Sequence, residues 1–236
     1  MKTLKPENCE MAALQELSKG KNFVVYTDGR EKLIKVMNVR LSYPHFGAKR
    51  VEKDEETGRE RATWNGVAML SKSSHVEAKD AFMKLINEIM DNAPNDKGGK
   101  GVKIPPEYRC IKNGDDKEDE NMHGHWLISF SDGNRRPAIR DQRGELILDE
   151  STIDEKFYGG CYGNVLIRPW FFNGKAKGST KTYPKRICGG FVGAQFVKDG
   201  EPFGNGRIDD TDAWGAVDDS DDGMGSSSSV DDDDGL

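Results

Sequence analysis

The last 28 residues of this 236-residue chain contain no lysine and no arginine, although they contain eleven aspartates. Because the whole chain has a net charge of −6, residues 1–208 carry a net charge of +5. A basic body joined to an acidic tail is typical of a protein that binds a polyanion. We predict a folded domain over residues 1–208 and a disordered tail over residues 209–236, since the tail has little apolar surface to bury. A tail that only improves solubility is the alternative.

The sequence also has no run of the roughly 18 apolar residues that a membrane-spanning helix needs, and its first residues lack the apolar stretch of a secretory signal. Its four cysteines are far apart and include no CxxC pair, which favours reduced thiols over a disulfide framework. They are Cys9, Cys110, Cys161 and Cys188. We therefore expect a cytoplasmic protein that does not associate with membranes.

The segment "SHVEAKDAFMKLINEIMDNAP" is predicted to form an amphipathic helix. Ser74 and Glu77 have the spacing of a capping box, and Pro94 lies just beyond the expected end. The apolar face should pack on a sheet, and it comprises Phe82, Leu85, Ile86, Ile89 and Met90.

A second helix is predicted near the start of the chain. Met11, Leu14 and Leu17 follow Pro6 at helical spacing, and Gly20 is a plausible stop.

Strand patterns dominate the rest of the chain. A charged loop, "VEKDEETGRE", separates the first two of these segments in the manner of a long hairpin. Strands, one helix and further strands with long polar loops are typical of a mainly β protein. We predict an antiparallel barrel of the OB type with elaborated loops. The strand segments are "LIKVMNVRLSY", "RATWNGVAMLSK", "GHWLISF", "ELILD", "GNVLIRPWFF" and "ICGGFVGAQFVKDG".

Residues 156–198 contain no aspartate and no glutamate in a chain that has 41 of them. The same segment holds eight basic residues and nine of the twenty aromatic ones. Basic side chains neutralise phosphates, and flat rings stack on unpaired bases with a gain of roughly 1–3 kcal/mol per base. This combination indicates binding of single-stranded nucleic acid.

The strand period places Arg168, Trp170 and Phe172 on one face of "VLIRPWFF", and Ile167 and Phe171 on the other. We expect the first face to contact DNA and the basic loop after it to contact phosphates. Some of the aromatic rings could instead fill the barrel. The candidate binding residues are Tyr158, Tyr162, Arg168, Trp170, Phe172, Lys175, Lys177, Lys181, Tyr183, Lys185 and Arg186.

Four segments, "VRLSYPHFGAKR", "RATWNGVAML", "FYGGCYGNVLIRPWFF" and "GAQFVKDGEPFG", resemble the single-stranded DNA-binding proteins of tailed bacteriophages. The resemblance runs from about residue 33 to 204 and returns in the tail. It implies an OB-fold protein that coats exposed DNA strands in the host cytoplasm during replication, recombination or repair. It also implies that the tail recruits replication proteins such as a polymerase or a helicase/primase. The best-known relatives end in phenylalanine, whereas the tail here ends in Asp231, Asp232, Asp233, Asp234, Gly235 and Leu236.

We expect the tail to compete with DNA as well. At about 5–6 Å times the square root of its length it spans roughly 30 Å, enough to reach a basic groove on its own domain. Removing the tail should therefore extend binding to double-stranded DNA. The sequence leaves open whether the chain forms a homodimer.

Two other functional classes fit parts of the sequence. A metal-dependent nuclease or recombination enzyme with a regulatory tail would need clustered carboxylates, and an acidic-tailed interaction protein would not bind DNA at all. The candidate carboxylates lie in loops with the character of turn residues. They are Asp132, Asp141, Asp149 and Asp154.

His123 and His125 are two residues apart on an expected strand, as a metal pair would be. No cysteine or further histidine lies near them in the sequence, so a zinc site is disfavoured. We expect no enzyme, no metal and no cofactor.

Overall fold

Strands are the main regular structure of the residues that the computed structural model describes, which are 13–53, 60–176 and 181–203. Within these ranges no helix is long and apolar enough to cross a bilayer. The strands are β1 Gln15–Gly20, β2 Phe23–Thr27, β3 Lys32–Lys53, β4 Glu60–Ser71, β5 Ile111–Asn113, β6 His125–Asp132, β7 Ala138–Arg140, β8 Tyr162–Phe172 and β9 Arg186–Lys198. The α-helices are α1 Val76–Asn92 and α2 Glu150–Lys156, and short 3-10 turns cover Pro106–Tyr108, Gly114–Asp116 and Glu120–Met122.

Five of the strands close into a barrel. Its order is β3, β4, β6, β9 and β8, and β8 pairs again with β3. Within the barrel every pairing is antiparallel except that of β6 with β9, which are parallel at Ser131 and Gly190. The predicted OB-type barrel is confirmed, and so is the long hairpin, since Lys53 of β3 pairs with Glu60 of β4.

Closure depends on the length of β3. Residues 34–40 of this strand pair with β8, and residues 40–53 pair with β4, with register shifts between Ser42 and Arg50. Such irregularities bend a strand and increase its twist, which allows one strand to belong to both halves of a barrel. Tyr43 lies at the bend with a φ of 48°.

Phenylalanine rings fill the barrel. The Phe46 ring centroid lies 4.7 Å from that of Phe191 and 5.1 Å from that of Phe157, and Phe130 lies 4.7 Å from Phe191. All four side chains are at most 2% exposed. α2 packs against β3 and supplies buried Ile153, which lies one helical turn before Phe157. The resulting core holds the strands at the positions from which their outer side chains project.

The predicted helix is α1, and its apolar face is buried as expected. Phe82, Leu85, Ile86 and Met90 lie in the core, and Ile89 packs against it.

The predicted capping box is wrong. His75 is the N-cap, and no side chain caps this helix. The Ser74 hydroxyl lies 2.8 Å from Nδ1 of His75, and the Glu77 carboxylate accepts from the backbone N–H of Lys21 at 3.1 Å. Ser74 thus bonds to the adjacent side chain and Glu77 to a residue distant in sequence, and neither has its expected role at the helix start.

The helix predicted to end at Gly20 is a strand over its described part. β1 pairs with β2 through a tight turn in which Asn22 has a φ of 64°, a conformation that asparagine tolerates. Leu14 is 43% exposed and Leu17 is 50% exposed, so their helical spacing does not mark a buried face. The β-rich run "FVVYT" of β2 is the signal that indicates a strand hairpin here. Met11 lies outside the described residues.

The segment "ELILD" is not a strand, which corrects another prediction. Only Leu146 forms an isolated bridge, to Arg140, and Leu148 is 78% exposed. The chain turns here to enter α2, whose N-cap is Asp149. The Asp149 carboxylate accepts from the Thr152 N–H at 2.7 Å. Hydrogen bonds from Ser151 and Thr152 lower the pKa of Asp149 to about 2.

Candidate nucleic-acid interface

The outer face of β8 carries the residues that the sequence places against DNA. Val165 and Ile167 point into the barrel and are fully buried, whereas Trp170 is 40% exposed. Phe171 packs against the core from the inner face. The strand alternation is therefore the one expected from the sequence, and Trp170 is not a core residue.

Pairing with β9 sets the neighbours of this face. Arg168 lies opposite Gly190, Trp170 opposite Cys188, and Phe172 opposite Arg186. The Trp170 and Phe172 rings meet edge to face with 6.2 Å between centroids. The Arg186 guanidinium lies 5.2 Å from the Phe172 centroid. We call the set of Arg168, Trp170, Phe172 and Arg186 the β8–β9 patch.

Arg168 is held in place by one carboxylate. Its Nη1 donates to Glu31 at 3.1 Å, and the two side chains are 31% and 49% exposed. A Cβ at Gly190 would lie 3.1 Å from the Arg168 carbonyl oxygen, so a glycine at this position accommodates the close approach of the β8 backbone. Among the described residues, the buried Nε atoms of Arg168 and Arg186 have no hydrogen-bond partner. Both arginines thus retain donor capacity that the folded chain does not use.

The loop from β8 to β9 adds further basic residues. Its two arms meet where the Tyr183 N–H donates to the Gly174 carbonyl at 2.9 Å and Lys175 bridges Thr182. Lys181 is exposed, and Lys177 lies outside the described residues.

Lys185, at the end of this loop, has a carboxylate partner. Its ammonium lies 2.6 Å from Asp96, which follows α1. The hydrogen bond from Lys185, together with the charges of Lys185 and Lys175, lowers the pKa of Asp96.

Arg61 belongs to the same surface, although the sequence analysis did not select it. Burial raises the pKa of the Cys188 thiol, and the positive charges of Arg186 and Arg61 oppose that rise. The charge of Arg61, on β4, therefore acts on Cys188, the residue that pairs with Trp170. In the sequence it adjoins an acidic loop, which conceals its place beside the patch.

Tyr158 and Tyr162 are not part of the patch. They lie at the other end of β8, and Tyr162 is eight residues from Trp170, or roughly 26 Å along a strand. The Tyr158 hydroxyl donates to the Gly200 carbonyl at 2.9 Å and accepts from the Gly200 N–H at 3.0 Å, so its contacts are structural. Tyr162 lies beneath Lys198, whose ammonium is 4.7 Å from the ring centroid.

Comparison with known proteins identifies the family. The sequence profile of the single-stranded DNA-binding protein of Enterobacter phage Enc34 matches residues 32–224. The chain belongs to this family. The predicted resemblance to phage single-stranded DNA-binding proteins is confirmed.

Solved structures agree with this assignment. The single-stranded DNA-binding protein from bacteriophage Enc34 is 31% identical, with a TM-score of 0.65, over 85% of this chain and 98% of that one. The same protein in complex with single-stranded DNA is 31% identical, with a TM-score of 0.67, over 81% of this chain and 98% of that one. Putative protein p50 of Acyrthosiphon pisum secondary endosymbiont phage 1 is 25% identical over 178 residues, which is 74% of this chain and 88% of that protein.

Family membership favours a binding protein over the nuclease alternative, because the Enc34 relatives are described as DNA-binding proteins and not as enzymes. The candidate carboxylates have local structural roles. Asp132 and Asp141 accept backbone N–H groups in turns, Asp149 caps α2, and Asp154 accepts from the Gly47 N–H at 3.0 Å. Within the described ranges, no group of three or more potential ligands is placed to hold a metal ion.

Proposed function

We propose that this protein coats single-stranded DNA without sequence preference during phage DNA replication, recombination or repair, in the cytoplasm of the bacterial host. The observation that carries the proposal is the β8–β9 patch. Two rings and two arginines lie side by side on the paired strands β8 and β9, in a protein whose relative has been solved with single-stranded DNA. Rings that stack on any base and cations that contact any phosphate provide affinity without reading sequence.

In this proposal Trp170 and Phe172 stack on bases, and the arginines and the loop lysines contact phosphates. Arg61 joins them from β4 because its positive charge acts on Cys188, which pairs with Trp170. The residues assigned to DNA are Arg61, Arg168, Trp170, Phe172, Lys175, Lys177, Lys181, Tyr183, Lys185 and Arg186.

A titration against three nucleic acids tests the proposal. Labelled single-stranded DNA, duplex DNA of the same sequence and single-stranded RNA are each titrated at several salt concentrations. Each phosphate contact with a single strand should contribute about 0.7 to the slope of log affinity against log salt. Lys181→Gln should lower that slope, whereas Lys84→Gln on the outer side of α1 should not. A salt-independent affinity would contradict the proposal.

We further propose that the acidic tail gates this interface. The tail lies outside the described residues. Its eleven aspartates are opposite in charge to the basic loop and patch. A tethered polyanion competes with DNA at an effective concentration that reaches the millimolar range for short flexible linkers. Once DNA displaces the tail, Asp231, Asp232, Asp233, Asp234 and Leu236 are free to engage basic surfaces on a polymerase or a helicase/primase.

Deletion of residues 209–236 tests the gating. The truncated protein should bind single strands more tightly at low salt, bind duplex DNA, and no longer bind replication proteins. A variant with the tail aspartates changed to asparagine keeps the length and should behave like the truncation. If both variants match the full chain at low salt, the tail only aids solubility.

The exposed edge of β1 supports a homodimer as part of the proposal. Within the described residues β1 pairs with β2 alone; it carries half-exposed Leu17, and half-exposed Leu14 directly precedes it. An open strand edge with apolar side chains is a surface on which a second copy can pair. Light scattering on the full chain should give twice the chain mass, and Leu17→Lys should reduce it to one. A monomeric full chain at micromolar concentration would refute the dimer.

A further inference from the structure

A second basic surface lies at the amino end of β8, away from the β8–β9 patch. Strands β3, β4, β6 and β8 and the end of β9 surround a cleft of about 330 Å³. Nine residues line it, among them Arg40, His75, His125, Tyr162 and Lys198, and none of the nine is an aspartate or a glutamate. We call this the β8 amino-end cleft.

The two strong cations of the cleft are held by neutral groups. Lys198 lies over the Tyr162 ring. Arg40 donates from Nη2 to the Glu201 carbonyl at 2.6 Å and from Nε to the Gly160 carbonyl at 3.3 Å, and its guanidinium lies 4.2 Å from the Phe203 centroid. Carbonyl oxygens and rings orient a cation but do not cancel its charge.

Within the described residues, neither Arg40 nor Lys198 forms an ion pair with a carboxylate. The carboxylate of Asp199, next to Lys198 in sequence, lies 3.1 Å from the Tyr158 hydroxyl. The charged groups that act on buried His75 are His125 and Lys21, both of which add positive and not negative charge when ionised. The His75 ring is itself saturated by the Ser74 hydroxyl at 2.8 Å and the Met37 carbonyl at 3.0 Å, so it forms a wall of the cleft. The positive charge of Arg40 and Lys198 is left uncompensated.

A cavity with uncompensated positive charge and an aromatic wall suits a nucleotide. The cations attract a phosphate, and the Tyr162 ring offers a stacking surface for the base attached to it. Tyr162 projects from the same outer face of β8 as Arg168 and Trp170, roughly 26 Å away. Sites of about 4–16 nucleotides per OB fold cover separations of this order.

We propose that the β8 amino-end cleft is a second contact for the DNA strand that lies on the β8–β9 patch, with Arg40 and Lys198 on a phosphate and Tyr162 beside its base. This inference rests on the proposed single-stranded DNA binding. It gives the strand a course along the outer face of β8, so oligonucleotides long enough to span both sites gain contacts that short ones lack.

Two oligonucleotide lengths test the cleft. Fluorescence titrations compare an oligothymidylate of about 4 nucleotides with one of about 16, spanning the range of OB-fold sites. Lys198→Gln should weaken the long oligonucleotide several-fold and lower its salt slope by about 0.7, the loss of one phosphate contact. The short oligonucleotide should bind the variant and the wild type equally. Lys198→Arg should restore the long-oligonucleotide affinity, and Lys84→Gln should leave both lengths unchanged.

The remaining outcomes separate the cleft from the proposed function. Unchanged binding of the long oligonucleotide to Lys198→Gln, in a protein where Trp170→Ala weakens both lengths, would overturn the cleft and leave the function standing. Equal weakening of both lengths by Lys198→Gln would also overturn it, because the cleft would then not be a separate contact. A wild type that binds neither length would refute the function itself. Deoxythymidine monophosphate tests whether the cleft binds a free nucleotide. If it binds and the affinity for oligonucleotides does not depend on Lys198, the cleft is not a contact for the DNA strand.

Discussion

The two ends of β8 present positive charge in different ways. In and beside the β8–β9 patch, Arg168 is paired with Glu31 at 3.1 Å and Lys185 with Asp96 at 2.6 Å. In the β8 amino-end cleft, carbonyls and rings hold Arg40 and Lys198. A phosphate that binds at the patch must displace a carboxylate, whereas one that binds in the cleft meets a cation that has no carboxylate partner. The patch therefore relies mainly on its rings for affinity and exchanges one anion for another, whereas the cleft combines cations that have no carboxylate partner with a single ring, that of Tyr162.

The largest effect is expected from Trp170→Ala. Loss of a stacking ring should weaken single-stranded DNA binding by roughly 1–3 kcal/mol. Trp170 is 40% exposed, so the Tm of the variant should stay close to that of the wild type. Affinity and Tm are measured together, with Leu148→Ala as the control because Leu148 is 78% exposed and lies in another loop. A large loss of Tm, or an unchanged affinity, would remove Trp170 from the interface.

Tyr158→Phe should give the opposite result, because the Tyr158 hydroxyl bonds only to the folded chain near Gly200. Loss of these hydrogen bonds should lower the free energy of unfolding by about 1 kcal/mol and the Tm by a few degrees. Affinity for DNA should not change. Tyr26→Phe on β2 is the matched control. Reduced DNA affinity in a Tyr158→Phe protein of normal Tm would show that this end of β8 also reads DNA through Tyr158.

Glu31→Gln should strengthen DNA binding, since it frees Arg168 from its carboxylate. An exposed ion pair of this kind contributes up to about 1 kcal/mol, which corresponds to a gain of up to about fivefold in Kd. Glu16→Gln provides the control: it removes the same charge from a glutamate 48% exposed, paired with Lys19 at 3.9 Å on β1. Equal gains in both variants would mean that only net charge matters and that the pairing of Arg168 does not.

The smallest effect concerns Asp96 and pH. Lys185 lowers the pKa of Asp96 in the free protein. When a phosphate takes Lys185, the Asp96 pKa should return toward its ordinary value of about 3.9, so binding takes up a proton. Affinity should therefore rise as pH falls below about 4, and Asp96→Asn should lack that part of the rise. Titrations of both proteins from pH 6 to 3.5, with Tm recorded in the same buffers, check this. Parallel pH profiles would show that DNA does not displace Asp96.

Periodic patterns predicted the parts of the fold that depend on one element. The burial of Phe82, Leu85 and Ile86 follows from a repeat of 3.6 residues, and the exposure of Trp170 follows from a repeat of two. Both patterns depend on one element alone, so they predict its buried face whichever other element it packs against. Leu14 and Leu17 show the limit of such patterns. Their spacing of three residues fits a helix, but Leu17 lies on an exposed edge strand and Leu14 directly precedes it.

The candidate interface was predictable only in composition. The acid-free block of residues 156–198 covers β8, the loop after it and β9, and the order of the strands matched the barrel, whereas the role of this block in binding DNA stays a prediction. The ion pairs of the interface could not be predicted from the sequence, because Glu31 lies 137 residues from Arg168 and Asp96 lies 89 residues from Lys185. The charge of Arg61 acts on Cys188 because closure of the barrel brings β4 toward β9.

The sequence by itself determined the fold class, the basic and aromatic face of β8 and the opposite charge of the last 28 residues, because each depends on composition or on a short repeat. Only the tertiary structure decided which cations are paired and which are open. Ion pairs and clefts form between side chains that closure of the barrel brings together, and no local pattern records such distances. Tyr158 and Tyr162 were therefore assigned to the same site as Trp170, while the fold places them at the far end of β8, Tyr162 in a cleft built from five different strands.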